Sequence, residues 1–507
     1  MEAIAQTSYG KVRGTTRDGV TAFLGIPYAA PPFGADRFRA PRPPEPWDGV
    51  RDAAEYGPTA PKPGYPRPFD KLLPDPAIPG EDCLNLNVWT PFFAGGTGGS
   101  SPRNDPAPDP GGSGLPVMVW IHGGAFRNGS GAVPLYSGRN FARDGAVCVT
   151  INYRLGVEGF ANLPGAPLNR GLLDQIAALE WVRDNIAGFG GDPDRVTVFG
   201  ESAGAMSVTT LLSLDLGLFR RAVAQSGAGT IAQDPSDALL VTKEMAARLG
   251  VEATAEAFAA LDPAAILLVQ AAVAAEVAAL PDPGRWGRTT AAGGMSLTPI
   301  LDGELLTRRP EDAIADGAGR DVDLLIGYTS EEFRFFLMPT GLARDLTDEL
   351  VGAVTTGMGV PPELPASYRA HHPDQTPGEL MATIITDHLF RVPAHRAAAG
   401  HAASGGTGGT WMYEFAWRSP VHDLGACHAL ELGFVFDTLG EGTEGLAGPK
   451  PPQALADRMH RAWTDFAAHG DPGWRRFDPS ARAVQVFDGP ADEVVEDPHA
   501  EDRRLWG

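Results

Sequence analysis

Three stretches of the chain are almost continuously apolar: Val117-Met118-Val119-Trp120-Ile121, Ala146-Val147-Cys148-Val149-Thr150-Ile151 and Val196-Thr197-Val198-Phe199. Short runs without polar alternation are typical of strands buried on both faces of a parallel sheet, and helices must then cover those faces. One such helix is clear. Leu172, Ile176, Leu179, Val182 and Ile186 recur at helical spacing after a cap at Asn169, and Gly188 to Gly191 ends the pattern. Further strands are predicted at Ala222 to Ala224, Leu324 to Ile326, Trp411 to Phe415 and Val484 to Phe487. Strands alternating with helices in this way predict an α/β fold built on a large, mostly parallel sheet.

The flanking regions read differently. Short apolar runs such as Val20 to Leu24, followed by the Pro-rich turns Pro27 to Pro32 and Pro41 to Pro46, predict a small β region, and Glu81 to Trp89 alternates as a strand does. Residues 94–114, mostly Gly, Ser, Pro and Asp, have little to bury and are expected to form a mobile surface loop within a domain. Ala238 to Leu280 and Leu342 to Gly400 are helical in pattern. They predict capping insertions, at about 238–320 and 335–405, on a single domain spanning 1–507.

Composition narrows the function. An apolar share of 43% with 21% charged residues is that of a globular protein with a sizeable core. A net charge of -22 repels phosphate backbones and anionic lipid, so nucleic acid is not an expected partner. No apolar run is long enough for membrane insertion, and the first residues lack a secretory pattern, so a cytoplasmic location is expected. Cys83, Cys148 and Cys427 are too few and too far apart for a metal or disulfide framework. Asn128-Gly129-Ser130 matches a glycosylation acceptor that has no use without secretion.

Chemistry enters at Gly200-Glu201-Ser202-Ala203-Gly204, between the apolar run Val196 to Phe199 and small residues able to start a helix. Strand, sharp turn and helix are the context of a nucleophile elbow, with Ser202 at its tip. In a chain with 63 glycines the five-residue pattern alone is weak. Upstream, His122-Gly123-Gly124-Ala125-Phe126 follows the strand ending at Ile121, where small residues let backbone N–H groups gather around a developing oxyanion. Gly-Gly after a strand is also often only a turn, but the two features together are the hydrolase arrangement.

Together these motifs resemble the type B carboxylesterase family, which includes bacterial para-nitrobenzyl esterases and, more distantly, the cholinesterases. The resemblance runs nearly end to end, through Phe23 to Ala29, Arg37-Phe38-Arg39, Glu81 to Leu84 and Asn152-Tyr153-Arg154, then Gly171 to Gln175, Phe189 to Pro193, Phe199 to Gly204 and His428 to Glu431. It implies the α/β-hydrolase fold, with helical insertions over an active-site gorge. It also implies a serine carboxylesterase acting through a Ser-His-Glu triad and an acyl-enzyme.

By this similarity the oxyanion donors are the N–H groups of Gly124, Ala125 and Ala203, with Gly123 shaping the loop. Among 11 histidines, His428 matches the family's catalytic segment, with nearby His422 as the alternative. The acid falls at Glu332, although Glu331 and Phe333 depart from the family's Asp-Glu-Gly, so Glu331 stays open. Glu201 and Ser226 resemble the supporting network behind the triad, and Arg154 with Asp174 and Arg37 with Glu81 resemble structural ion pairs. No cofactor or metal is implied.

Leu72, Leu73 and Pro74 stand where the cholinesterases place a choline-binding tryptophan, and the segment Tyr56 to Pro61 offers Cys83 no disulfide partner. A small-molecule ester, small or aryl, is the expected substrate, and a monomer the expected state. A transesterase or amidase with the same triad, or a non-catalytic binding protein of this fold, are the alternatives.

Overall fold

The computed structural model describes residues 3–91 and 114–507, and thirteen strands among them join in one sheet. In chain order they are β1 (Ala3–Gln6), β2 (Lys11–Arg17), β3 (Val20–Pro27), β4 (Val50–Asp52), β5 (Asn85–Pro91), β6 (Leu115–Ile121) and β7 (Val147–Ile151). Then follow β8 (Gly191–Glu201), β9 (Arg221–Gln225), β10 (Asp323–Thr329), β11 (Thr410–Phe415), β12 (Ala483–Asp488) and β13 (Ala491–Glu496). The spatial order is β1-β2-β3-β5-β7-β6-β8-β9-β10-β11-β12-β13, with β4 beside β2.

From β7 through β12 every pairing is parallel. The N-terminal strands and β13 add antiparallel edges, except that β4 runs parallel to β2. The expected small β region is thus continuous with the main sheet through β3 and β5.

The apolar runs are explained by where alternate residues go. Val117, Val119, Ile121, Val196 and Val198 join one core, beneath the helices Arg170–Asn185 and Ala203–Leu212. Met118, Trp120, Phe199, Val223 and Tyr413 join a second core on the other face, under Leu455, Met459, Trp463 and Phe466 of the helix Gln453–His469. Burial on both faces favours apolar residues at successive positions, and the polar exceptions are themselves buried, as Thr150 and Thr197 are. Each buried apolar side chain contributes about 1.5–3 kcal/mol relative to exposure. A third, separate core gathers Val351, Tyr368, Leu380 and Ile384 from the predicted insertion around 342–400.

The strand expected at Glu81 to Trp89 is β5, buried on both sides, where Asn85 and Asn87 spend their amides on Pro58 O, Gly131 O and Thr150. Asn169 is the N-cap of its helix, its carbonyl accepting from Leu173 N–H at 2.9 Å, but its side chain makes no cap bond and in a left-handed conformation clasps Ile300 and Asp302. One expectation is corrected. Arg37 pairs with Glu158 at 2.6 Å, not with Glu81, which is exposed. The expected mobile loop falls, apart from Gly114, outside the described residues.

Candidate active site

The carboxyl ends of β6, β8, β9 and β10 stand side by side in the sheet, at the end where open parallel sheets bind ligands. After β8 the chain turns sharply at Ser202, whose φ of 56° and ψ of −125° are rare for a residue with a side chain. Such a conformation costs of order 1–3 kcal/mol and persists only when its surroundings impose it. Here Ser202 N–H donates to Gln225 O of β9 at 2.9 Å. A Cβ at Gly204 would lie 2.0 Å from Ile121 O, so only glycine lets the helix Ala203–Leu212 close against β6. Ser202 itself is half-buried.

The loop after β6 lies against this turn. A Cβ on Gly123 would sit 3.0 Å from Ser202 Cβ, and Gly124, Ala125 and Phe126 take successive positive φ values of 110°, 53° and 58°. That reversal folds the loop back, so that Gly124 O accepts from Arg127 and Asn128 N–H. The N–H groups of Gly124 and Ala125 have no protein acceptor among the described residues. Ala203 is the first residue of its helix and has no carbonyl one turn back to receive its N–H.

The imidazole of His428 is buried between two carboxylates. Glu332 Oε2 lies 2.5 Å from Nδ1, and Glu201 Oε1 lies 3.0 Å from Nε2. Glu332 is fully buried and anchored by Thr329 N–H, which donates to its other oxygen at 2.9 Å. Burial alone would lower the histidine pKa, but Glu201 and Glu332 together raise it to about 9. Burial pushes the carboxyl of Glu201 upward, with Glu431 and Glu332 adding to the shift and His428 opposing it.

Glu331 points elsewhere. Its Oε2 accepts from Ala426 N–H at 2.9 Å and from Arg418 at 2.5 Å, which fastens the loop carrying His428. His422 is exposed with positive φ. Geometry therefore separates both open pairs: Glu332 and His428 meet, while Glu331 and His422 do not join them.

Ser226, just past β9, is buried with a positive φ, and its Oγ has no hydrogen-bond partner among the described residues. Glu431 carries no role in the sequence reading, yet it lies fully buried three residues after His428, across a turn in which Ala429 takes a positive φ. It accepts from Gln225 Nε2 at 3.2 Å, and Gln225 in turn accepts from Trp463. Phe336, Phe335 and Phe390 surround the imidazole with ring centroids at 5.2, 6.2 and 5.0 Å, and Phe336 remains exposed. Among the described residues no cluster of His, Cys, Asp or Glu could hold a metal ion, and no helix is long and apolar enough to cross a membrane.

Residues 1–486 match the sequence model of the Carboxylesterase family. The chain belongs to the carboxylesterase family. The para-nitrobenzyl esterase of Bacillus subtilis is 37% identical over 99% of this carboxylesterase and 98% of the relative. The phenmedipham hydrolase of Pseudarthrobacter oxydans is 35% identical over 97% of both chains. Among solved structures, the Geobacillus stearothermophilus carboxylesterase Est55 superposes with a TM-score of 0.83 at 35% identity, covering 100% of each chain. The α/β-hydrolase fold of those neighbours is the fold of this carboxylesterase, and the chain is a carboxylic ester hydrolase.

Proposed function

We propose that this carboxylesterase hydrolyses small or aryl carboxylic esters through Ser202, His428 and Glu332. The observation that carries the reading is His428, held at Nδ1 by the buried Glu332 and with Glu201, the residue before the strained Ser202, 3.0 Å from its Nε2. Ser202 attacks the ester carbonyl as His428 takes its proton. Glu332 fixes the ring and stabilises the imidazolium. The N–H groups of Gly124, Ala125 and Ala203 receive the oxyanion, the alcohol leaves with the returned proton, and water hydrolyses the acyl-enzyme. Glu201 and Ser226 support the imidazolium and the attacking water.

The phenylalanines around His428 favour an aromatic or short acyl partner over a polar one. Every proposed group lies on one chain, so a monomer suffices. Three buried thiols suit a reducing compartment, and the cytoplasm is the proposed location. The test is a panel of p-nitrophenyl esters of rising acyl length, read in water and with a competing alcohol or amine. Release of acid as the main product supports hydrolysis. Dominant transfer to the added nucleophile points to a transesterase or amidase, and no turnover at all points to a binding protein.

A further inference from the structure

The fold of the Gly123–Gly129 loop is closed by a pair of side chains from outside it. Lys62 and Asp75 form an ion pair with side chains only 1% and 5% exposed. Asp75 Oδ2 accepts from Asn128 Nδ2 at 3.1 Å, and Oδ1 accepts from Gly129 N–H at 3.3 Å. Lys62 Nζ donates to Gly129 O at 3.1 Å. Both backbone groups of Gly129 and the side chain of Asn128 thus rest on one buried pair. The other end of the loop is built on those residues, because Gly124 O accepts from Asn128 N–H and a Cβ on Gly124 would lie 2.3 Å from Asn128 O.

The pair belongs to a Pro-rich segment that is closed at its base, where Thr59 N–H donates to Ile78 O at 3.0 Å and Ile78 N–H to Thr59 Oγ1 at 3.1 Å. Farther along the segment, Phe69 packs on Phe335 beside His428, at 5.3 Å between ring centroids. Burying an ammonium and a carboxylate is costly unless both are paired and hydrogen-bonded, as they are here. A hydrophobic pair would fill the same space, but it would leave Gly129 and Asn128 free to shift.

We propose that Lys62 and Asp75 are positioning residues that hold the Gly124 and Ala125 N–H groups in register for the oxyanion, so that the pair governs turnover rather than substrate affinity. This rests on the ester-hydrolase reading above. The groups facing the pair are His122 on the Lys62 side and Tyr65 and Tyr136 on the Asp75 side, with Arg127 and Glu201 beyond Tyr65. Burial lowers the pKa of Lys62 against the opposing pull of Asp75. The ammonium is therefore lost at lower pH than for a free lysine, and the loop loosens in alkali.

The experiment compares full-length wild type, Lys62→Met and Asp75→Asn for steady-state hydrolysis of p-nitrophenyl acetate and for the rate of labelling by a p-nitrophenyl phosphonate, with circular dichroism as the folding check. The expected result is a roughly 10- to 100-fold loss of kcat and of the labelling rate in each variant, with KM within about 2-fold. Folded variants with wild-type kcat, or with the loss confined to KM, overturn the proposal. If neither variant folds, the wild type decides. On the alkaline side of the optimum set by His428, its kcat should fall reversibly before the ordinary lysine value of about 10.4 is reached, with unchanged circular dichroism, and a plateau held up to that value overturns the proposal. A wild type that neither turns over nor labels removes the hydrolase reading and the proposal with it. An active wild type with unaffected variants removes the proposal alone.

Discussion

Glu201 Oε1 stands 3.0 Å from Nε2 of His428, on the side of the ring opposite Glu332. The nitrogen that must take the serine proton thus has a carboxylate beside it, and the imidazolium is favoured from both edges. Activity needs the neutral ring, and the pKa of His428 is raised, so activity is lost as pH falls through that raised value. The acid limb of kcat/KM should lie above the ordinary histidine value of about 6.5. Glu201→Gln removes one charge and should move the limb down by about 1 pH unit or more. A pH–rate profile of both proteins measures the shift, and an unmoved limb would separate Glu201 from the titration.

Glu331 and Glu332 are neighbours with different duties. Glu332→Gln should reduce kcat by roughly 10³- to 10⁴-fold, as loss of the orienting acid does in triads. Glu331→Gln keeps the Ala426 contact and weakens the ties to Arg418 and Arg334, and should cost less than about tenfold. Initial rates on one ester decide between them; equal losses would place Glu331 in the chemistry.

The Gly124 backbone leaves no room for a side chain. Gly124→Ala should fold yet lose about 10²- to 10³-fold in kcat, the scale of a lost oxyanion donor. Thermal unfolding and kinetics on the same preparation separate the two effects. Wild-type kcat would show that this N–H does not meet the oxyanion.

Arg154 and Asp174 pair in the deep interior through two contacts of 2.8 and 2.7 Å, and Asp174 also accepts from Arg154 N–H. Arg154→Met leaves Asp174 buried without its charge partner. The expected loss is about 3–5 kcal/mol, read by urea unfolding, with kcat of the surviving folded protein nearly unchanged.

How much of this was legible in the chain follows from the range of each interaction. The central strands were readable because burial on both faces favours a nearly unbroken apolar run, and the helix after Asn169 because one face alone is buried. The Ser202 turn was readable because a close approach to Ile121 admits only glycine at 204. Other features depend on contacts between distant segments.

Arg37 could have met either Glu81 or Glu158, and only the packing of Leu155 to Phe160 against the first turns decides. The choice between Glu331 and Glu332 turns on one residue of register after β10, which composition does not carry. Lys62 and Asp75 sit in a Pro-rich stretch with no periodicity, so nothing in the local pattern marks them as buried. Glu431 was visible as a residue of the His428 motif, but its role needed Gln225 from β9 beside it.

The central claim is that Ser202 is the nucleophile. Wild type and Ser202→Ala are treated with a p-nitrophenyl phosphonate and analysed by peptide mass spectrometry, with p-nitrophenol release followed in parallel. The account predicts one adduct, on the peptide at Ser202, one equivalent of p-nitrophenol, and neither signal from the folded Ser202→Ala protein. An adduct elsewhere, or ester turnover retained by Ser202→Ala, would contradict it.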